Sequence, residues 1–280
     1  MSAGYLIIGQ GGVGKPLAEQ LAAGFAVSAV ATTPKAYAAP VRFIQKRAQD
    51  LKISDVMGVT HIAIIVTPTK AGKQATAQEY QDSYWSVCDS IAKLYQAHPV
   101  QMAALHQVLF VSSTAVYGEN AGEWINEMTQ ANPASATAVV LRQAEQVLID
   151  TFGDKAVIVR ASGIYHINST RLITQAKTAH ETGVPSHHYT NRIMDQDLVA
   201  ALAQILQSDR PKPVYLATDF LPVTSFEVLS FIADQMGYPP PKCLDGAPTG
   251  KRIISNLPRS WLSFADYRQG YQAVMDQLQE

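Results

Sequence analysis

Apolar and polar positions along this chain fall into blocks, with short wholly apolar runs set between longer amphipathic stretches. Tyr5-Leu6-Ile7-Ile8 predicts a first strand. Further strands are predicted over residues 26–31, 43–45, 62–66, 107–112 and 156–160. Helical patterns follow the first strand and cover about 74–96 and about 136–151. Apolar strands alternating with helices predict a parallel sheet covered on both faces, the α/β class. Beyond Tyr165 the pattern loosens. Residues 166–192 are polar and broken by Gly183 and Pro185. A helix is predicted over 197–207, with Asp197 near its start, and a strand over 214–216. Another helix is predicted over 226–236, with Thr224-Ser225 as its N-cap and Pro239-Pro240-Pro241 ending the unit.

The turn out of the first strand reads Gly9-Gln10-Gly11-Gly12-Val13-Gly14 and opens a helix, with G-x-G-x-x-G spacing. A glycine first permits the tight turn, and a second keeps side chains away from a pyrophosphate. A third lets helix and strand lie close, and the helix N-terminus offers N–H groups to the phosphates. Gly9, Gly14 and Lys15 also fit the opening of a P-loop. That motif needs a hydroxyl residue next, and Pro16 has none. The fourth strand leads into Thr67-Pro68, not into an acidic metal ligand. Dinucleotide binding is therefore the expectation, and nucleotide triphosphate hydrolysis is not.

Composition narrows the classes further. The 280 residues are 47% hydrophobic and 16% charged, with a net charge of −1. That balance argues against nucleic acid or an anionic membrane as the main partner. No apolar run approaches the ~20 residues needed to span a bilayer. Met1-Ser2-Ala3 leads straight into the first strand and leaves no room for a signal peptide, so a cytoplasmic location is expected. Cys88 and Cys243 lie far apart without metal-ligand spacing and read as reduced thiols. His187-His188 shows no third ligand, so no metal is expected.

Several segments together resemble the extended short-chain dehydrogenase/reductase (SDR) family, the NAD-dependent epimerase/dehydratase group. They are Ser112-Ser113-Thr114-Ala115-Val116-Tyr117-Gly118 and Arg160-Ala161-Ser162-Gly163-Ile164-Tyr165. Asn191-Arg192-Ile193-Met194-Asp195-Gln196-Asp197-Leu198 and Lys251-Arg252-Ile253-Ile254-Ser255-Asn256 extend the likeness over nearly the whole chain. The glycine spacing points to an atypical branch. The resemblance implies a Rossmann-type doubly wound parallel sheet with a smaller C-terminal substrate lobe. Residues 1–165 would be the dinucleotide-binding domain. Residues 166–280 would be mainly the substrate lobe, with about 192–219 returning to the Rossmann core. It also implies site roles. Gly9, Gln10, Gly11, Gly12, Val13 and Gly14 would cradle the pyrophosphate, and Asp50 and Leu51 would meet the adenine. Val66, Thr67 and Pro68 would line the adenosine side. Ser112, Gly163, Ile164 and Tyr165 would complete the cofactor site, and Ser113 falls on the catalytic Ser/Thr position.

The family's proton donor is a Tyr four residues before a Lys. Counting back from Glu145 puts Thr137 and Leu141 at those positions, and neither can do that chemistry. Arg142, one residue along, points elsewhere, because a helix turns about 100° per residue. Tyr117 and His166 are the other candidate groups near the pocket, His166 because an imidazole titrates near neutral pH. The Lys251-Arg252 pair could meet an anionic substrate or form a surface salt bridge. After the second strand stand Thr32, Thr33 and Lys35, with neither the acid of an NAD site nor an Arg; two hydroxyls and a cation favour NADP over NAD. Two functions follow. One is an NAD(P)-dependent oxidoreductase or epimerase/dehydratase-like enzyme acting on a small polar carbonyl/alcohol or sugar-nucleotide substrate. The other is a dinucleotide-binding sensor without turnover that takes a small-molecule effector. Either would be a monomer or homodimer.

Overall fold

A computed structural model describes residues 3–68 and 75–279. The strands in chain order are β1 Gly4–Ile8, β2 Ala26–Ala31, β3 Val41–Gln45, β4 His61–Ile64, β5 Gln107–Ser113, β6 Ala121–Ile125, β7 Ala156–Ala161 and β8 Gly163–Tyr165. They continue as β9 Val184–Pro185, β10 His188–Thr190, β11 Arg192–Met194, β12 Val214–Ala217, β13 Val223–Thr224, β14 Cys243–Leu244 and β15 Thr249–Ile253. The helices are α1 Gly14–Ala22, α2 Ile53–Val56, α3 Ala77–Tyr80, α4 Ser86–Ala97, α5 Ala136–Phe152, α6 Arg171–Thr182, α7 Asp195–Leu206, α8 Ser225–Met236 and α9 Tyr267–Gln277.

The chain divides into two compact units. The first is Met1–Gly118, Ala131–Arg160 and Val199–Tyr215. The second is Glu119–Gln130, Ala161–Leu198 and Leu216–Glu280. The main sheet is parallel, with strand order β12-β7-β5-β4-β1-β2-β3. Leu6, Ile7, Ile62, Ala63, Ile64 and Val108 to Phe110 have no exposed surface, as expected for strands covered on both faces. The expected helix over 74–96 begins at Ala77 among the described residues; Gln74 lies outside them. It includes one wide turn at Gln81–Trp85, between α3 and α4. Glu79 and Thr76 cap α3 reciprocally, the Glu79 amide donating to Thr76 Oγ1 at 3.2 Å.

The second unit carries a four-stranded sheet in the order β13-β10-β15-β6 and two small strand pairs, β11 with β8 and β14 with β9. Its core gathers Tyr165, Ile173, Met194, Val228, Leu229, Tyr271 and Val274. The polar stretch 166–192 is not loose: it holds α6. That helix buries a narrow stripe of Ile173, Ala176 and Ala179, and two alanines in three carry little apolar signal in the sequence. Thr224 caps α8 as expected. Its Oγ1 accepts from the Glu227 amide at 3.2 Å while the Glu227 carboxylate accepts from the Thr224 amide at 2.8 Å.

Candidate functional site

The strand order reverses between β1 and β4, so the loops leaving their carboxyl ends flank the crevice where ligands of such sheets bind. Gly9 has a φ of 93°, and a side chain there would run into the Ile65 carbonyl. One on Gly14 would run into the Gly9 carbonyl. Packing alone demands these two glycines. Gly11 and Gly12 differ. Both are exposed, neither takes a left-handed φ, and a Cβ on either would meet nothing within 4 Å. The described fold needs no glycine there, whereas a ligand lying on the backbone would. Val13 leads into α1 without a side-chain cap; in the first turn the Lys15 amide donates to the Gly11 carbonyl at 3.2 Å, and Pro16 has no N–H.

The loops leaving β2, β3 and β4 stand at the same edge of the parallel sheet. Gln10 is buried; its Nε2 donates to the Ile7 carbonyl at 2.9 Å and its Oε1 accepts from the Tyr37 hydroxyl at 3.0 Å. Both ends of the Gln10 amide are thus engaged within the fold. Thr32, Thr33 and Lys35 are exposed in the loop after β2. Thr67 is exposed, with Val66 and Pro68 half-buried, after β4. Asp50 is exposed at the end of a short turn after β3, and Leu51 is buried behind it.

At the carboxyl end of β5, Ser112 and Ser113 have different surroundings. Ser112 is buried and donates to Glu145 Oε1 at 2.6 Å. Glu145 is completely buried and also receives Arg160 Nε at 3.1 Å and Arg160 Nη2 at 2.7 Å. Arg160 Nη1 donates to the Tyr117 hydroxyl at 2.7 Å, and its guanidinium lies 5.0 Å from the Tyr117 ring centroid. Burial weakens the Arg160 charge, and the Glu145 carboxylate more than offsets that, so its pKa rises. Ser113 is half-buried, and its Oγ accepts from the Ala115 amide at 3.2 Å.

In the second unit, Gly163, Ile164 and Tyr165 form β8 and pair with Arg192, Ile193 and Met194 of β11. They line a cavity of about 490 Å³ together with Arg171, His188, Asn191, Arg192 and Tyr271. Tyr165 stacks on Tyr271, with centroids 4.9 Å apart. Burial pushes both phenols above their ordinary pKa. His166 is exposed, and its Nδ1 accepts from the Asn168 amide at 3.1 Å, which holds a local turn. His187 is exposed, whereas His188 Nδ1 sits 2.9 Å from Thr249 Oγ1. Among the described residues no group of three or more His, Cys, Asp or Glu could hold a metal ion. Arg252 lies between the rings of Trp124 and Tyr189, at 4.7 and 4.5 Å, and donates to the Gly122 carbonyl. Lys251 is half-buried, and burial lowers its pKa against the pull of Glu119 and Glu123.

No protein-family model matches the chain, and no curated protein matches it. Solved structures do. A Methylobacillus flagellatus protein assigned as an NAD-dependent epimerase/dehydratase is 24% identical, with a TM-score of 0.76 over 100% of this chain and 99% of that one. UDP-glucuronic acid 4-epimerase from Bacillus cereus, in complex with NAD, is 16% identical, with a TM-score of 0.76 over 99% and 100%. An Agrobacterium tumefaciens short-chain dehydrogenase/reductase superfamily protein with bound NAD is 17% identical, with a TM-score of 0.73 over 99% and 97%. The chain has the extended short-chain dehydrogenase/reductase fold.

Thr137 and Leu141, where the resemblance expects a Tyr and a Lys, both lie on α5. Thr137 is half-buried, with its hydroxyl 3.1 Å from Ser135 Oγ, which caps the helix. Leu141 is 1% exposed and belongs to the core. Arg142 turns away to Gln146 Oε1 at 2.8 Å and Glu145 Oε2 at 3.4 Å, as helix geometry requires. Three site features escaped sequence reasoning: the Glu145–Arg160 pair, the cavity cation Arg192, and the buried Asp219. A signal for the first exists. Arg160 ends the apolar run Val157-Ile158-Val159, and a charge in a buried strand requires a counterion. For Asp219 there is none, because its burial depends on contacts with residues distant in sequence.

Proposed function

We propose that this chain binds a nicotinamide dinucleotide on the loop from Gly9 to Gly14 and is an NAD(P)-dependent oxidoreductase or epimerase/dehydratase-type enzyme. Its substrate would be a small polar carbonyl or alcohol compound, sugar nucleotides included. The observation that carries the reading is the open backbone at Gly11 and Gly12 beside the sheet's reversal point. Two of the similar structures hold NAD, and one of those is an epimerase of a nucleotide-linked sugar acid, which supports both halves. On the substrate side, Arg192 has a buried Nη1 without a hydrogen-bond partner and lines the second unit's cavity. A buried guanidinium with an unused donor suits an anionic group.

A bound nicotinamide would supply hydride exchange with carbon. Gly11, Gly12 and the α1 N-terminus would hold the pyrophosphate. Thr32, Thr33 and Lys35 would surround the ribose 2′ position, where two hydroxyls and a cation suit the 2′-phosphate of NADP. Ser113 Oγ already accepts from the Ala115 amide, so its O–H would donate to the reacting oxygen. Tyr117 would be a fixed wall rather than a proton carrier, because its hydroxyl is tied to Arg160. Leu141 favours a second reading. A core leucine at the lysine position leaves no cation there for proton transfer, as in a dinucleotide sensor without turnover.

Thermal shifts with NAD, NADH, NADP and NADPH test the proposal on the parent and on Gly11→Val. A ligand at a hundredfold excess over Kd stabilises by about 2.7 kcal/mol. The parent should respond, most strongly to the NADP pair. Gly11→Val should keep the parent's melting temperature without ligand and lose the response. A full response in Gly11→Val would remove the cofactor assignment. Firm binding with no turnover on a carbonyl and alcohol panel would select the sensor.

A further inference from the structure

Arg192 and Asp219 are opposite charges buried in the second unit, each with one polar atom unused. Their main chains are locked together, the Asp219 amide donating to the Arg192 carbonyl at 2.7 Å and Thr218 Oγ1 donating to the same oxygen at 3.1 Å. Arg192 is 6% exposed, and Asp219 is 3% exposed. The Arg192 guanidinium gives Nη2 to Thr190 Oγ1 and lies 5.6 Å from the Tyr267 ring centroid, while Nη1 has no partner. Asp219 Oδ1 accepts from the Leu221 amide at 3.3 Å, and Oδ2 has no partner. The two side chains sense each other's charge without forming an ion pair. An unpaired buried charge is costly. Here no ion pair forms, and the cation lines a cavity.

We propose that Asp219 makes anion capture at Arg192 proton-coupled: the cavity takes an anionic ligand group on Arg192 together with a proton on Asp219. This rests on reading the cavity as the substrate site. An anion on Arg192 adds a second negative charge to the field that Arg192 and Asp219 share, and the repulsion is relieved when the acid is neutral. By reciprocity, the proton and the anion favour each other by the same factor. The surroundings fit. Burial lifts the Asp219 pKa to about 7 against the pull of Arg192 and the Leu221 amide, with Asp266 adding repulsion. Tyr165 and Tyr271, which also sense these charges, are held neutral by burial. Asp266 caps α9 through the Arg268 amide, and Asp197 holds the Ser263 and Phe264 amides, so neither competes for Nη1. Arg171 and His188 are the other basic side chains that line the cavity.

Sulfate is the probe, because its charge is constant across the range. Equilibrium dialysis of labelled sulfate at fixed ionic strength, from about pH 5.5 to about pH 8.5, should show affinity falling by up to about tenfold per pH unit above pH ~7. Asp219→Asn should bind sulfate with low-pH affinity throughout and a flat profile, whereas His188→Gln should keep the slope. Calorimetry of the parent in two buffers of different ionisation enthalpy should register proton uptake with sulfate near neutrality. If Arg192→Gln binds sulfate as well as the parent does, the substrate reading of the cavity fails, and the coupling with it. If Arg192→Gln abolishes binding but Asp219→Asn keeps the parent's slope, or no proton is taken up, the coupling alone is overturned.

Discussion

Replacing Glu145 with Gln tests how the first unit holds its only fully buried carboxylate among the described residues. Glu145 has no exposed surface and accepts from Ser112 and Arg160 Nε through Oε1, and from Arg160 Nη2 and Arg142 through Oε2. A Gln can keep one oxygen on Ser112 and Arg160 Nε. Its NH₂ then faces Arg160 Nη2 at the 2.7 Å separation that the carboxylate now bridges, donor against donor. The charge-assisted bond lost is worth about 1.5–3 kcal/mol, and Arg160 is left buried without a counterion. Together these give the roughly 3–5 kcal/mol typical of breaking a buried pair. At about 2–4 °C per kcal/mol, the melting temperature should fall by ~10 °C. Urea and thermal unfolding followed by circular dichroism would measure it. The partner experiment is Glu145→Leu with Arg160→Met. Removing both charges should recover most of what either single change loses, because no charge is then stranded. A Glu145→Gln protein within about 1 kcal/mol of the parent, or a double variant no better than the sum of its singles, would refute this account.

Three further outcomes are expected. Lys35→Ala should weaken NADP(H) by on the order of 1 kcal/mol more than NAD(H), and equal losses would show that Lys35 does not read the 2′-phosphate. Thr137→Val should leave any turnover unchanged while Ser113→Ala lowers it steeply. A fall of ~10²–10⁴-fold from Thr137→Val with cofactor binding intact would mean that Thr137 has taken over the proton-donor role. Asp219 binds its proton more tightly folded than unfolded, with a pKa near 7 against 3.8, so it should erode stability as pH rises between those values. The total is roughly 4 kcal/mol. Asp219→Asn should be flatter across this window and more stable than the parent above it; parallel stability–pH curves would show that the carboxyl is not perturbed.

The first unit was largely legible because its determinants are local. Four apolar residues, a glycine turn and an amphipathic stretch specify strand, loop and helix within some twenty residues, and the cradle lies inside that span. Thr137 and Leu141 were readable for the same reason, since a position on α5 follows from counting. The second unit was not readable in this way. α6 buries mostly alanines, and the four-stranded sheet joins β6 to β15 across the 123 residues from 126 to 248, with Gly250 opposite Ala121 and Arg252 opposite Trp124. Whether a polar residue is a solvated surface group or a buried charge also depends on contacts far apart in sequence. Asp219 reads as an ordinary loop acid until β12 and β11 bring its amide onto the Arg192 carbonyl. Arg160 and Glu145 are separated by a helix end and a turn, and their pairing needs both elements in place. The order of residues determined the strands and the glycine loop. Tertiary packing decided which charges lost their water, because desolvation is a property of the whole surround rather than of any local segment.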